Sequence, residues 1–241
     1  MLIPYLGNKE KFSNFIIPYI PEDISTYVEP FGGAMGIFFS LDLNNFKKVK
    51  FIYNDINYLN SNLFNNLKNN KDFINIIKST IVDKSVYDKA LEDIKIKYDE
   101  ITDAINWLIV LTCSAPNKIG IDSWRGCTEF EIFKLKCNSY EKSIGNISEI
   151  LNLDYKDIIN KYDSYSTFFY LDPPYMCRED YYINHNFNVD SHFELASCLR
   201  NIKGRFLLSY YYFNELEELY PNCKFESKPT IMGTEWIIMN Y

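Results

Sequence analysis

Apolar and polar positions fall into two rhythms along the chain. Near the start, Thr26-Tyr27-Val28-Glu29 is a short β-prone run broken by Pro30-Phe31-Gly32-Gly33, and Val49 to Tyr53 is a second, closing on Asn54-Asp55. A helix-compatible stretch from about Ala34 to Leu43 separates them. Strand, glycine turn, helix and a strand ending in an acid predict the βαβ half of a nucleotide-binding fold. Over residues 58–138 the rhythm lengthens. Segments 59–80, 86–98 and 101–112 predict helices, with Ile101, Ile105, Leu108, Ile109 and Thr112 on one face. The polar, glycine-punctuated stretch Ser114 to Lys136 then predicts a loop or hairpin presented on those helices.

The first rhythm resumes near Tyr155. Thr167 to Leu171 is continuously apolar, as in a strand buried on both faces, and leads directly into Asp172-Pro173-Pro174-Tyr175. Ser191 to Lys203 predicts a helix opened by a Ser191–Glu194 capping box, with Leu195, Leu199 and Ile202 along one side. Arg205 to Tyr210 reads as a buried strand, Phe213 to Tyr220 as a short helix and Glu235 to Met239 as a last strand. The pattern is an α/β domain, residues 1–57 and 139–241, split by a helical insertion over 58–138.

Composition narrows the class. A chain of 241 residues with 47% hydrophobic content suits one compact domain, or one domain carrying a smaller inserted one. No stretch approaches the roughly 18–20 apolar residues of a membrane span, and Met1 to Lys9 lacks the basic start and apolar run of a signal peptide, so an intracellular protein is expected. The six cysteines (Cys113, Cys127, Cys137, Cys177, Cys198, Cys223) form no CxxC pair, and the histidines are His185 and His192. Structural zinc wants closely paired ligands, so no metal is expected and the thiols are read as reduced. A formal net charge of −7 works against tight nonspecific binding to nucleic acid, which rests on neutralising phosphates. Such a substrate then requires clustered cations.

Chemistry concentrates at three places. In Asp172-Pro173-Pro174-Tyr175 two prolines fix two φ angles and remove two N–H donors, giving a stiff loop at a strand's carboxyl end, where open α/β sheets bind ligands. A carboxylate and the Pro173 carbonyl can accept both N–H bonds of an aryl amine, concentrating the lone pair on its nitrogen. Tyr175 can stack on a base taken out of its helix. The bland alternative is a plain Pro-Pro turn. Glu29-Pro30-Phe31-Gly32-Gly33-Ala34-Met35-Gly36 allows close backbone approach to a ligand, or is simply a turn. Asp55 sits where nucleotide-binding folds reach ribose hydroxyls, or is an N-cap for the segment starting at Ile56.

Taken in order, these stretches resemble the Dam-type (D12 class) DNA adenine-N6 methyltransferases over nearly the whole chain. Tyr5-Leu6-Gly7-Asn8-Lys9 resembles the N-terminal cofactor motif, Glu29 to Phe38 the glycine motif and Asn54-Asp55-Ile56-Asn57 the ribose-binding acid. Phe168 to Tyr175 resembles the catalytic motif, and Thr234 to Tyr241 the closing strand. The resemblance implies a Rossmann-like S-adenosylmethionine-dependent methyltransferase sheet with a helical target-recognition insertion. It implies that Tyr5, Lys9, Glu29, Phe31, Gly32, Gly33, Asp55 and Asp172 hold S-adenosylmethionine, and that Asp172, Pro173, Pro174 and Tyr175 hold the adenine of double-stranded DNA. Asp154-Tyr155 resembles the pair near the cofactor's adenine. Lys118 and Arg125 are the cations of the DNA-contacting loop, Arg suiting guanine edges and Lys phosphates, unless each is a solvated surface charge. One departure is Met35, where the family usually repeats glycine.

Other readings compete. A cytosine-C5 enzyme wants a cysteine nucleophile beside proline, and no cysteine here has that neighbour. Cytosine-N4 enzymes more often carry Ser at the position of Asp172, and an RNA adenine is a further amine substrate. A relic that binds DNA or cofactor without turnover is a second class. A nucleotide-dependent oxidoreductase leaves Asp172 to Tyr175 unexplained and lacks a full GxGxxG. His192 reads as surface or packing, and Trp107 and Trp124 as core or loop anchors. Monomer and homodimer both fit the chain.

Overall fold

A computed structural model describes residues 7–115, 119–175, 187–230 and 233–241. Among these, seven strands form one sheet: β1 (Thr26–Glu29), β2 (Lys50–Asn54), β3 (Ile147–Leu151), β4 (Thr167–Leu171), β5 (Arg205–Tyr211), β6 (Lys224–Thr230) and β7 (Gly233–Met239). Their order is β3-β2-β1-β4-β5-β7-β6. The first five run parallel, and β7 lies antiparallel to both β5 and β6. Winding starts at β1 and proceeds outward in both directions, so the chain reverses between β1 and β4. A doubly wound sheet opens a crevice at that reversal, outside the carboxyl ends of its strands.

Side chains alternate between two cores, as a strand period of two requires. Tyr27, Phe51, Tyr53, Phe168, Tyr170, Leu207, Ile237 and Met239 face one core. Val28, Ile52, Phe169, Leu171, Phe206, Leu208 and Ile238 face the other. All five residues of β4 are buried, which explains its unbroken apolar run. The first face carries α1 (Ser13–Ile16) and then α2 (Tyr58–Asn69), α3 (Phe73–Ser79), α4 (Lys84–Asp93), α5 (Glu100–Cys113) and α6 (Thr128–Ile144). The second carries α7 (Tyr155–Tyr162), α8 (Val189–Arg200) and α9 (Leu216–Leu219). The helical segment between β2 and β3 thus shares its core with the sheet.

Several local expectations shift. The helix expected over 59–80 is two helices, because Asn70 takes an extended ψ and its side chain accepts the Asp72 N–H at 3.1 Å. The loop expected from Ser114 to Lys136 ends at Cys127, and α6 crosses residue 138. An antiparallel bridge between Ser114 and Trp124 closes that loop, and Trp124 packs on Tyr87 at 5.2 Å. Trp107 is a core anchor, its indole N–H donating to Asn60 Oδ1 at 2.9 Å. α8 is capped by Asn188 with Ser191 closing the box, while Glu194 pairs with Lys156. His192 is buried, with Nδ1 against the Tyr210 hydroxyl, so of its two readings packing holds and surface does not.

The stretch from Ala34 to Leu43 forms turns and a short 3-10 segment, Phe38–Ser40, in place of the expected helix. Gly33 and Met35 both take positive φ, 48° and 55°, which a right-handed helix excludes. The Met35 N–H donates to Gly32 O at 2.8 Å and closes the turn. Met35 is thus a side chain held in a conformation that favours glycine, and it is buried. Met35→Gly is expected to be more stable than Met35→Ala by about 1 kcal/mol, the reverse of their order in an ordinary helix. Both fall below wild type because a buried methionine is lost. Urea unfolding of the three proteins measures the order.

Candidate active site

The parallel registers bring the ends of β1, β2 and β4 to one edge of the sheet, placing Glu29, Asp55 and Asp172 together. A cavity of about 340 Å³ opens there and all three line it. That size suits a small-molecule site. The strand ends are tied by Asn54, whose amide donates to Pro30 O and Leu153 O, both at 2.9 Å, and accepts the Leu153 N–H.

Asp55 organises the glycine turn. Its Oδ2 accepts the Gly33 N–H at 2.8 Å and the Asn60 amide at 3.1 Å, and its Oδ1 accepts the Asn57 N–H at 2.8 Å. Three of a carboxylate's roughly four acceptor positions are filled, which leaves one for a ligand. Asn57, not Asp55, caps α2. Burial raises the Asp55 pKa, against the pull of these three bonds. Glu29 accepts the Tyr27 hydroxyl at 2.8 Å. Burial drives its pKa up to about 8 despite bonds from Tyr27 and the Phe38 backbone, with the Asp172 charge adding to the rise.

The segment before α1 closes one end of the cavity. Asn8 Oδ1 accepts the Glu10 N–H at 3.0 Å, and a side chain at Gly36 would stand 2.0 Å from that oxygen. Glycine at 36 therefore lets this segment lie on the turn and send Lys9 inward, where it is only 7% exposed. Lys9 Nζ sits 3.0 Å from Asp172 Oδ1, 3.5 Å from Glu235 Oε1 and 4.5 Å from the centre of the Tyr175 ring. Burial opposes its charge, yet Asp172 and Glu235 overrule it and its pKa is raised. Burial likewise raises the pKa of Asp172 and of Glu235, against the pull of Lys9. Tyr175 donates its hydroxyl to Glu235 Oε1 at 2.5 Å. Its ring stacks on Tyr210 at 5.5 Å and meets Tyr211 edge-on at 4.7 Å. At the other end Phe31 packs on Tyr155 at 5.2 Å and on Phe187 at 5.7 Å, forming an aromatic wall.

Of the residues singled out in the sequence, Lys9, Glu29, Phe31, Gly32, Gly33, Asp55, Asp172 and Pro174 line one cavity, joined by Asp154 and Tyr155. Pro173 and Tyr175 are buried beside it. The open Tyr175 face expected for a base is instead occupied by Tyr210 and Lys9. Arg125 is exposed and lies outside the cavity, its backbone held by Cys113 O at 2.9 Å. Tyr5 and Lys118 lie outside the described residues. Glu235 is the residue the sequence does not single out; its only signal is a lone acid heading an apolar run. Among the described residues no cluster of His, Cys, Asp or Glu suits a metal, and no helix is long and apolar enough to cross a membrane.

A doubly wound sheet with a nucleotide-sized cavity at its reversal, lined by Asp172 and Pro174, defines a Rossmann-like nucleotide-binding fold. More narrowly, the chain belongs to the D12 class N6 adenine-specific DNA methyltransferase family, whose model matches residues 5–233. Among solved structures it is similar to a human methyltransferase 10 domain containing protein, at 9% identity and a TM-score of 0.41 over 99% of this chain and 85% of that one. It is also similar to the rRNA methyltransferase aviRa from Streptomyces viridochromogenes, at 9% identity and a TM-score of 0.41 over 95% of this chain and 83% of that one. No curated protein matches the chain by sequence.

Glu29 gives the site a pH signature. A carboxyl whose pKa rises on folding holds its proton more tightly in the folded state. The stability it confers is present in acid and lost as pH climbs from the ordinary carboxylate range to about 8. In ligand-free protein, Glu29→Gln is therefore expected to flatten the fall in melting temperature between pH about 5 and 8. Thermal melts across that range check the slope, and an unchanged slope contradicts the burial argument.

Proposed function

We propose that the chain transfers a methyl group from S-adenosylmethionine to the N6 amine of adenine in a specific sequence of duplex DNA. The observation that carries this is the placement of Asp172 at the carboxyl end of β4, in the same cavity as Asp55 and the glycine turn. The lining suits a cationic cofactor, because among the described residues Asp55, Asp154, Asp172 and Glu194 outnumber Lys9 and Lys156. Asp55 has an acceptor position left for a ribose hydroxyl, and Phe31 with Tyr155 offers a wall for a base. When bound, S-adenosylmethionine supplies a methyl already activated on a sulfonium, so the protein's work is positioning and polarisation.

Asp172 supplies one acceptor for the target amine and the Pro173 carbonyl a second, on a loop that two prolines stiffen. Two such bonds draw the nitrogen lone pair out of the ring and toward the methyl. The base must leave its helix to reach them. The helical segment 58–138 is the proposed target-recognition region, with the loop after Ser114 and the exposed Arg125 facing DNA. Tyr87 braces that loop, its hydroxyl bonding Ser114 Oγ and Gly120 O at 2.9 Å each.

Transfer of labelled methyl from S-adenosylmethionine to duplex DNA tests the reading. Asp172→Ala is expected to lower kcat by about 10²–10³, the usual loss for one preorganised polar group. Wild-type protein that binds the cofactor but labels no DNA would sink the proposal.

A further inference from the structure

Lys9 occupies the ground a target amine needs. Its nitrogen stands 3.0 Å from Asp172 Oδ1, hydrogen-bonding distance for an N–H donor, and over the ring of Tyr175. An amine entering the Asp172-Pro173-Pro174-Tyr175 loop must take both contacts from it. An ammonium in a cavity this enclosed cannot simply lose its partner, because an unpaired buried charge costs several kcal/mol. It needs a second anion within reach.

Glu235 is that anion. It is 1% exposed, lies at the amino end of β7 and comes within 3.5 Å of Lys9. β7 runs antiparallel to β5, with Glu235 paired to Tyr211, so its amino end meets the carboxyl ends of the parallel strands. The same Oε1 takes the Tyr175 hydroxyl at 2.5 Å. Glu235 therefore touches both groups that must rearrange, and it lies outside the residues lining the cavity.

We propose that Glu235 is a positioning residue that receives Lys9 when the target amine takes its place on Asp172, and that holds Tyr175 in register during the exchange. This rests on the reading of Asp172 as the amine acceptor. With Glu235 neutralised, Lys9 loses the second of its two charged partners, stays on Asp172, and Asp172 is withheld from the amine. Glu235 is not among the partners of Asp55 or the glycine turn, and at 1% exposure it is out of reach of a DNA phosphate.

The test is steady-state methyl transfer to DNA by wild type, Glu235→Gln and Glu235→Asp, alongside cofactor binding measured by calorimetry. Glu235→Gln keeps an acceptor for Tyr175 but no charge; its kcat is expected to fall by about 10²-fold, the scale of a misplaced catalytic contact. KM for DNA and Kd for S-adenosylmethionine should stay within about threefold of wild type, on the same positioning argument. Glu235→Asp restores the charge one methylene further back and should recover part of kcat. An active wild type with an unchanged Glu235→Gln kcat overturns the proposal and leaves the reading of Asp172 standing. So does a Glu235→Asp no better than Glu235→Gln, since charge is then irrelevant. An inactive wild type instead defeats the reading of the site itself.

Discussion

Lys9 has been taken out of water, and a buried ammonium is tolerable only where anions replace its hydration. The two that do so come from distant parts of the chain: Asp172 follows β4 and Glu235 opens β7. One side chain thus pins the segment before α1 to the centre of the sheet and to its antiparallel edge. The dependence is mutual. Without Lys9, two buried carboxylates would be left with no cation between them, and breaking such a cluster by removing one member costs about 3–5 kcal/mol. By contrast the Lys156–Glu194 pair at the rim, with side chains 41% and 53% exposed, contributes little.

The glycine turn shows the same economy of parts. Asp55 binds Gly33, so the acid that ends β2 also fixes the turn that ends β1. Tyr53 adds a second tie, its hydroxyl donating to Gly33 O at 3.0 Å. Gly33 itself is left-handed, and so, two residues on, is Met35. Its strain, of order 1–3 kcal/mol, persists because the surroundings over-determine the turn. The departure from glycine at Met35 therefore leaves the backbone conformation in place and adds a buried side chain to the cavity lining.

What the sequence disclosed follows from how much of each segment is buried. Central strands were legible because both faces pack and the apolar run is unbroken, as in Thr167–Leu171. The edge strands β3 and β6 were not. Ile147–Leu151 has one fully buried residue, and Lys224–Thr230 is mostly exposed and carries Pro229, tolerable only at an edge. Thr128 to Lys136 alternates polar and apolar residues like a hairpin, yet Phe130, Phe133 and Cys137 form the buried face of α6 while Ile132 and Leu135 stay exposed. The Asp172-Pro173-Pro174-Tyr175 loop was legible because two prolines constrain the backbone whatever surrounds it. Glu235 was not, since its meaning lies in contacts with Tyr175 and Lys9 that only the assembled sheet creates.

The acidity of the chain also reads differently once the acids are located. A formal charge of −7 counts Glu29 as ionised, yet its pKa of about 8 leaves it largely protonated at neutral pH. Asp55, Asp172 and Glu235 are buried as well, with pKa values raised by the same cause. Glu29, Asp55 and Asp172 line the cavity and Glu235 is buried behind it, so these four acids are not on a surface that must approach phosphates. Local charge at the docking face governs the approach of a polyanion more than the sum over the sequence does, because solvent screens charges beyond roughly 10 Å. The sum of −7 over the sequence therefore does not by itself oppose a DNA substrate.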